Sequence, residues 1–307
     1  MLNFYKTINN QMVSVDTISE GCWINVISPT AQEIDFIINN VKVQPDFLNA
    51  ALDDEESSRI EIEDDQTLII IDAPYTTQEG KTLVYTTMPI GIIITQQHVV
   101  TVCLKDISPL TEINDKQFKN AQTYMKTRFV LTLLLRIAKS YLIKLKNINK
   151  LSSEIELQLQ KSMKNKELIQ LLGLEKSLVY FSTSLKADEI TLEKILRGRV
   201  MKLYEEDQDL LEDVLIEFKQ AIEMTNIYSG ILSGTMDAFA SVISNNLNIV
   251  MKVLTIITTL MAIPTMIFSY YGMNIKFLFA PSAWMILLAS AVLITISAII
   301  LSKMKYK

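Results

Sequence analysis

Val253-Leu254-Thr255-Ile256-Ile257-Thr258-Thr259-Leu260-Met261-Ala262-Ile263-Pro264-Thr265-Met266-Ile267-Phe268-Ser269-Tyr270-Tyr271 is a run of 19 residues without a charge, closed by Gly272-Met273-Asn274. A second uncharged run of 25 residues extends from Phe277 to Leu301. As a helix rising ~1.5 Å per residue, each is long enough to cross the ~30 Å hydrocarbon layer of a bilayer. The pair predicts two transmembrane helices. Between them, Asn274 presents an amide where a membrane helix meets water, a suitable place to read a hydrated ion.

Working outward, no comparable run precedes Val253 in the 307 residues, although 49% of the chain is hydrophobic. The first thirty residues lack a continuous apolar core of the kind that marks a cleavable signal peptide, so the large N-terminal part is expected in the cytoplasm. Lys252 flanks the first span and Lys303, Lys305 and Lys307 follow the second, whereas the connecting loop carries only Lys276. That asymmetry predicts both termini on the cytoplasmic side of the cell membrane. Cys22 and Cys103 lie in apolar, strand-like surroundings that suit small buried residues in a reducing compartment. The single histidine, His98, reads as a sheet-edge residue, and so few soft ligands argue against a zinc or copper grip of the usual kind.

Proline usage divides the chain. Pro29, Pro45, Pro74, Pro89 and Pro109 come early, and the next is Pro264, inside the first span. Before Pro109, strand-forming runs are expected at Trp23 to Ile27, Thr67 to Ile71, Thr82 to Met88, Ile92 to Thr95 and Val99 to Cys103. Thr30 with Glu33 reads as a capping box opening a short helix over Ile34, Ile37 and Ile38, and Pro45 opens another through Phe47, Leu48 and Leu52. Beyond Pro109 the apolar spacing becomes helical. Leu131, Leu134, Ala138, Tyr141, Leu145, Ile148, Ile155 and Leu159 mark one long helix. A second runs from Leu168 to about Leu196, and a third is expected from near Arg199 into the first span, ~100 Å of helix over ~70 residues.

A seam runs along this third helix: Asp237, Ser241, Ser244, Asn248, Met251, Thr255, Thr258, Ala262, Thr265, Ser269 and Gly272. Nine of these eleven positions are polar or glycine. A repeat near 3.5 residues keeps such a seam facing a common axis when helices supercoil. Small residues also mark dry helix contacts in membranes, but a packing seam gains nothing from the Asp237 carboxylate and Asn248 amide. Met251 and its neighbour Leu254 supply an apolar constriction able to stop conduction by dewetting. Two spans cannot enclose a channel, so a pore requires a symmetric ring of chains.

The stretch Asn248-Ile249-Val250-Met251-Lys252-Val253-Leu254-Thr255-Ile256-Ile257, followed by Gly272-Met273-Asn274, resembles the CorA-type divalent cation channels. The resemblance implies an α+β membrane protein: a homopentameric funnel with a cytoplasmic α/β domain and a long helical stalk continuous with the first of two C-terminal transmembrane helices. It implies a filter of Gly272, Met273 and Asn274 selecting hydrated Mg²⁺, a pore lined by Asn248, Met251, Leu254 and Thr265, and Asp237 at its inner end. Members sense cytosolic Mg²⁺ at carboxylates between subunits. Asp213 falls at the matching helix position, the expected partner position is Ala50, and Asp53 or Asp54 just downstream is the regulatory metal ligand expected here.

The domain reading is a cytoplasmic α/β domain over 1–110, a long-helix bundle and stalk over 111–248, a pore-lining span over 249–271, and an outer loop over 272–283. A second span over 284–302 and a basic tail over 303–307 complete it. The expected activity is membrane-potential-driven uptake of Mg²⁺ without enzymatic chemistry, organic cofactor or nucleic-acid partner; Co²⁺ and Ni²⁺ also pass. The alternatives are a zinc transporter of the related ZntB type, against which Met273 and the scarcity of histidine argue, and a non-conducting membrane-anchored sensor or scaffold.

Overall fold

The computed structural model describes residues 1–9, 11–79, 82–112, 121–162, 165–198, 204–273 and 282–304. In chain order, β1 (Leu2–Ile8), β2 (Gln11–Val15) and β3 (Trp23–Ile27) precede α1 (Ala31–Phe36), which runs into a π-helical turn at Ile37–Val41. Then come α2 (Pro45–Ala51), β4 (Arg59–Glu63), β5 (Gln66–Glu79), β6 (Thr82–Ile94), β7 (Val99–Cys103) and the short α3 (Ser108–Thr111). Four long helices complete the chain: α4 (Lys126–Ser162), α5 (Asn165–Arg197), α6 (Glu205–Tyr271) and α7 (Ala283–Met304). The chain forms two compact units, residues 1–236 and 237–307.

The first unit is built on a seven-stranded sheet of order β2-β1-β3-β7-β6-β5-β4. Its centre is the parallel pair β3 and β7, and every residue of both strands is buried. Covered on both faces, such strands read as continuous apolar runs. The polar exceptions form a closed relay. Trp23 Nε1 donates to Thr101 Oγ1 at 2.9 Å, Thr101 Oγ1 donates to Asn25 Oδ1 at 2.9 Å, and Asn25 Nδ2 donates to the Leu110 carbonyl at 2.9 Å. Each buried polar group thus finds a partner, which spares the desolvation cost of an orphan.

The helix signals near the N-terminus act as expected. Thr30 Oγ1 accepts from the Glu33 backbone, Glu33 Oε2 accepts from the Thr30 backbone, and Pro45 occupies the first turn of α2. Ile24, Val26, Ile37, Phe47, Leu48, Leu68, Ile70 and Val102 form the core between these helices and one face of the sheet. Gly91 on β6 lets α2 come close, since a Cβ there would lie 2.3 Å from Ala51 Cβ. Elsewhere α4 and α5 cover the sheet, with the Trp23 and Phe129 rings tilted at 54° and 5.2 Å apart and Tyr141 edge-on to Phe181 at 5.1 Å.

Several expectations are corrected. The runs Thr82 to Met88 and Ile92 to Thr95 are one strand, and Thr67 to Ile71 is part of a strand reaching Glu79. The intervening prolines do not break the hairpin because it overruns its neighbours there: β4 pairs with β5 only as far as Ile70, and β7 pairs with β6 only from Ile90. Pro74 and Pro89 therefore lie where an outward N–H would have no strand to meet. β1, β2 and β4 were not anticipated. His98 is no sheet-edge residue. It is 5% exposed at the entry to interior strand β7, its N–H donates to Thr95 Oγ1 at 2.9 Å, and burial lowers its imidazole pKa. Cys22 and Cys103 are free and buried, and burial raises the Cys103 thiol to about 11. The third long helix begins at Glu205; the expected start near Arg199 lies outside the described residues.

Candidate functional site

Helix α6 continues through Pro264. A proline lacks the N–H that would bond the carbonyl four residues back, so the Leu260 carbonyl loses its helical donor. Within the second unit the apolar length of α6 carries one partly covered stripe: Ile256, Leu260, Ile263, Pro264 and Ile267. α7 likewise carries one, formed by Ile286, Ser290, Ile294, Ser297 and Ala298. At about 100° per residue, Thr255, Thr258, Ala262, Thr265 and Ser269 fall on the side of α6 roughly opposite its covered stripe. They are exposed, and so are Asp237, Ser241, Ser244, Asn248, Met251, Leu254 and Gly272.

Four of the hydroxyls on this seam share an orientation. Thr255 Oγ1 donates to the Met251 carbonyl, Thr258 Oγ1 to that of Leu254 and Thr265 Oγ1 to that of Met261, each at 2.8 Å. Ser241 Oγ donates to the Asp237 carbonyl at 3.0 Å. Each hydroxyl hydrogen is thus spent on the preceding turn, and the oxygen lone pairs are the function left to present. Thr259, beside the seam and absent from the sequence reading, is turned back in the same way onto the Thr255 carbonyl at 2.8 Å. Its register position beside Thr258 was the available signal.

At the end of α6, the Gly272 N–H donates to the Phe268 carbonyl at 2.8 Å. A Cβ at Gly272 would sit 3.0 Å from that carbonyl oxygen, so the position closes the helix most easily as glycine. Met273 follows, exposed. Asn274, the principal filter residue expected from the sequence, lies outside the described residues.

The carboxylates that the sequence reading expects to bind a regulatory metal lie in the first unit. There α6 buries Leu211, Val214, Leu215, Phe218, Ala221 and Thr225, and Asp213 falls on an exposed face. Asp53 and Asp54 are exposed just past α2, where Asp53 Oδ1 accepts from the Glu55 N–H at 3.0 Å. Among the described residues no group of three His, Cys, Asp or Glu side chains could hold a metal ion within a single chain.

A long polar-seamed helix closed by Gly272 and Met273, in a chain that also carries an α/β unit, is a layout that comparison with known proteins resolves. The family described as CorA-like Mg²⁺ transporter protein matches residues 19–303. The chain belongs to that CorA-like family. A CorA-like relative, the cobalt/magnesium transport protein CorA of Methanocaldococcus jannaschii, is 29% identical over 260 residues, covering 83% of this chain and 80% of the relative. The magnesium transport protein CorA of Helicobacter pylori is 23% identical over 267 residues, covering 85% and 81%. The complete structure of the Methanocaldococcus jannaschii CorA magnesium transporter superposes with a TM-score of 0.82 at 27% identity, covering 98% of this chain and 96% of that one. The α/β domain and long helical stalk are therefore those of the CorA-like fold. The cytoplasmic domain of ZntB from Vibrio parahaemolyticus, at 11% identity and a TM-score of 0.61, shares the fold alone.

Proposed function

We propose that this CorA-like chain is a divalent cation transporter that works as a homopentameric channel, conducting hydrated Mg²⁺ into the cell down the membrane potential. The observation that carries the reading is the seam of α6. Its outward-facing Thr and Ser oxygens, with Asp237 and Asn248 at one end, are exposed in the single chain on the side opposite the partly covered stripe. Five copies turned inward on that seam give a hydrophilic lumen, and α7 of each copy takes the second, surrounding span. Both termini then lie in the cytoplasm.

Gly272, Met273 and Asn274 form the outer filter in this reading. Mg²⁺ gives up its water reluctantly, so amide and hydroxyl oxygens that bind the hydrated ion avoid the dehydration cost. Weak outer-sphere binding also allows release. Met251 and Leu254 form the apolar gate and Asp237 concentrates cations at the inner exit. Inward movement of a divalent ion gains about 4.6 kcal/mol per 100 mV, twice the ~2.3 kcal/mol of one elementary charge, so no nucleotide is required. Co²⁺ and Ni²⁺ pass by the same route. Asp213 of one copy and Asp53 or Asp54 of the next bind cytosolic Mg²⁺, which offsets their repulsion and holds the ring closed.

The test is ion flux into proteoliposomes carrying the full-length chain or Asn274→Ala, with Mg²⁺, Co²⁺, Ni²⁺ and Zn²⁺ offered separately. Native protein should carry Mg²⁺, and Asn274→Ala should lose at least tenfold of that flux, corresponding to about 1.4 kcal/mol. Equal flux in the two would remove the filter. Zinc carried in preference to magnesium would move the chain to the zinc-transporter reading, and no flux at all would favour a scaffold.

A further inference from the structure

Asp188 of α5 is wholly buried against the β5–β6 hairpin. Its two oxygens are treated very differently. Oδ1 accepts from Ser58 Oγ at 2.7 Å and from the Asp72 N–H at 3.0 Å, whereas Oδ2, equally enclosed, has no partner. The Tyr141 hydroxyl of α4 is also enclosed, with Ser184 beside it, and Ser184 Oγ, one turn before Asp188, is 2.8 Å from Thr87 Oγ1 of β6. An isolated carboxylate in such a place would carry an uncompensated charge, which is strongly unfavourable in a buried site.

Among the described residues, no cation offsets it. The charged neighbour of Asp188 is a second carboxyl, Asp72 on β5. Near Ser58, Arg59 is engaged by Glu56 and Glu61. From β6 the titratable group is Tyr85, set edge-on to Phe181, and on the outer reach of β5 Lys105 lies over the Tyr75 ring at 5.0 Å. On α5 itself, Lys186 is exposed. From every side, then, the surroundings favour a neutral group. A neutral acid also fits the bonding pattern: a carbonyl-type oxygen accepting two donors, and a hydroxyl oxygen accepting none.

We propose that Asp188 is a proton-binding site, present in the folded protein as a neutral carboxylic acid with its hydrogen on Oδ2, and that neutralising the carboxyl lets α5 stay packed on the β5–β6 hairpin through the bonds to Oδ1. Burial first, and then the Asp72 charge, pushes the Asp188 carboxyl well above the ordinary carboxylate range, while burial raises Asp72 itself and the Tyr141 hydroxyl. Because the folded state keeps a proton that the unfolded chain releases above the ordinary carboxyl pKa, stability falls as pH rises from that value to the raised one. The bound proton makes the cytoplasmic α/β unit sensitive to alkaline pH, independently of whether the chain conducts ions.

The test uses full-length protein in lipid nanodiscs. Infrared spectra at pH 7 should contain the C=O stretch of an undissociated carboxylic acid, absent in Asp188→Asn and retained in Asp72→Asn. Across the window Asp188 should lower the native folding constant by up to tenfold per pH unit, and Asp188→Asn should remove that share of the dependence while remaining folded. Loss of the band in Asp72→Asn but not in Asp188→Asn would place the proton on the wrong carboxyl and overturn the proposal. An unchanged pH dependence in Asp188→Asn would do the same. So would failure of Asp188→Asn to assemble, because the amide reproduces the shape and acceptor of the neutral acid.

Discussion

Gly91 shows how a single hydrogen atom can set the distance between two layers. With a methyl there, the new Cβ would meet Ala51 Cβ at 2.3 Å, and the Ala51 Cα lies only 3.2 Å away. Neither neighbour is the yielding end of a long side chain, so α2 or β6 must shift. Gly91→Ala should therefore lower the unfolding free energy by about 1–3 kcal/mol, the usual range for overpacking. Thermal unfolding of the purified protein checks this, and adding Ala51→Gly should recover part of the loss because it removes the opposing methyl. The residue scale is also where the sequence was least legible. Asp188 interrupts the buried stripe of Phe181, Leu185, Leu192 and Ile195, a visible irregularity, but spacing alone cannot separate a buried acid from one turned to water. Nor could it show that Ser58, 130 positions away, would bond to it.

Among the elements, the long helices were easiest to read because a stripe repeated over many turns averages out its exceptions. The strands were harder. Arg59-Ile60-Glu61-Ile62-Glu63 alternates cleanly, yet it is an edge strand with Ile62 57% exposed, so its apolar face gave a weak signal. Pro74 and Pro89 were read as breaks because the sequence does not say where a neighbouring strand stops. Helix α6 holds another local departure: Gly230 and Gly234 lie in its interior, and a Cβ at either would meet nothing within 4 Å. Helical glycine costs about 1 kcal/mol relative to alanine. If only the single chain mattered, Gly230→Ala and Gly234→Ala should each stabilise the protein by up to that amount in thermal unfolding. A fall in melting temperature, or loss of the oligomer in size-exclusion chromatography with light scattering, would show that another copy of the chain needs the space.

At the scale of the whole molecule, the candidate sites proposed for transport share one property: those of their residues that are described are exposed in the single chain. This explains why the family resemblance pointed to Asp213, Asp53 and Asp54 while one chain brings together no metal cluster among its described residues. A site completed between copies leaves no mark in either copy except uncovered carboxylates. Asp213→Ala should accordingly weaken closure by internal Mg²⁺, raising by severalfold the concentration that halves flux into preloaded proteoliposomes. An unchanged inhibition curve would discard that site. The back-turned threonines of α6 carry one more consequence. Water around a cation points its hydrogens outward, and water around an anion points its lone pairs outward. In the proposed channel, a lumen wall whose threonine hydrogens are already committed to Met251, Leu254 and Met261 would receive the first shell and have little to offer the second. Such a wall would tell magnesium from chloride by the direction in which its hydroxyls point, without a fixed charge inside the bilayer.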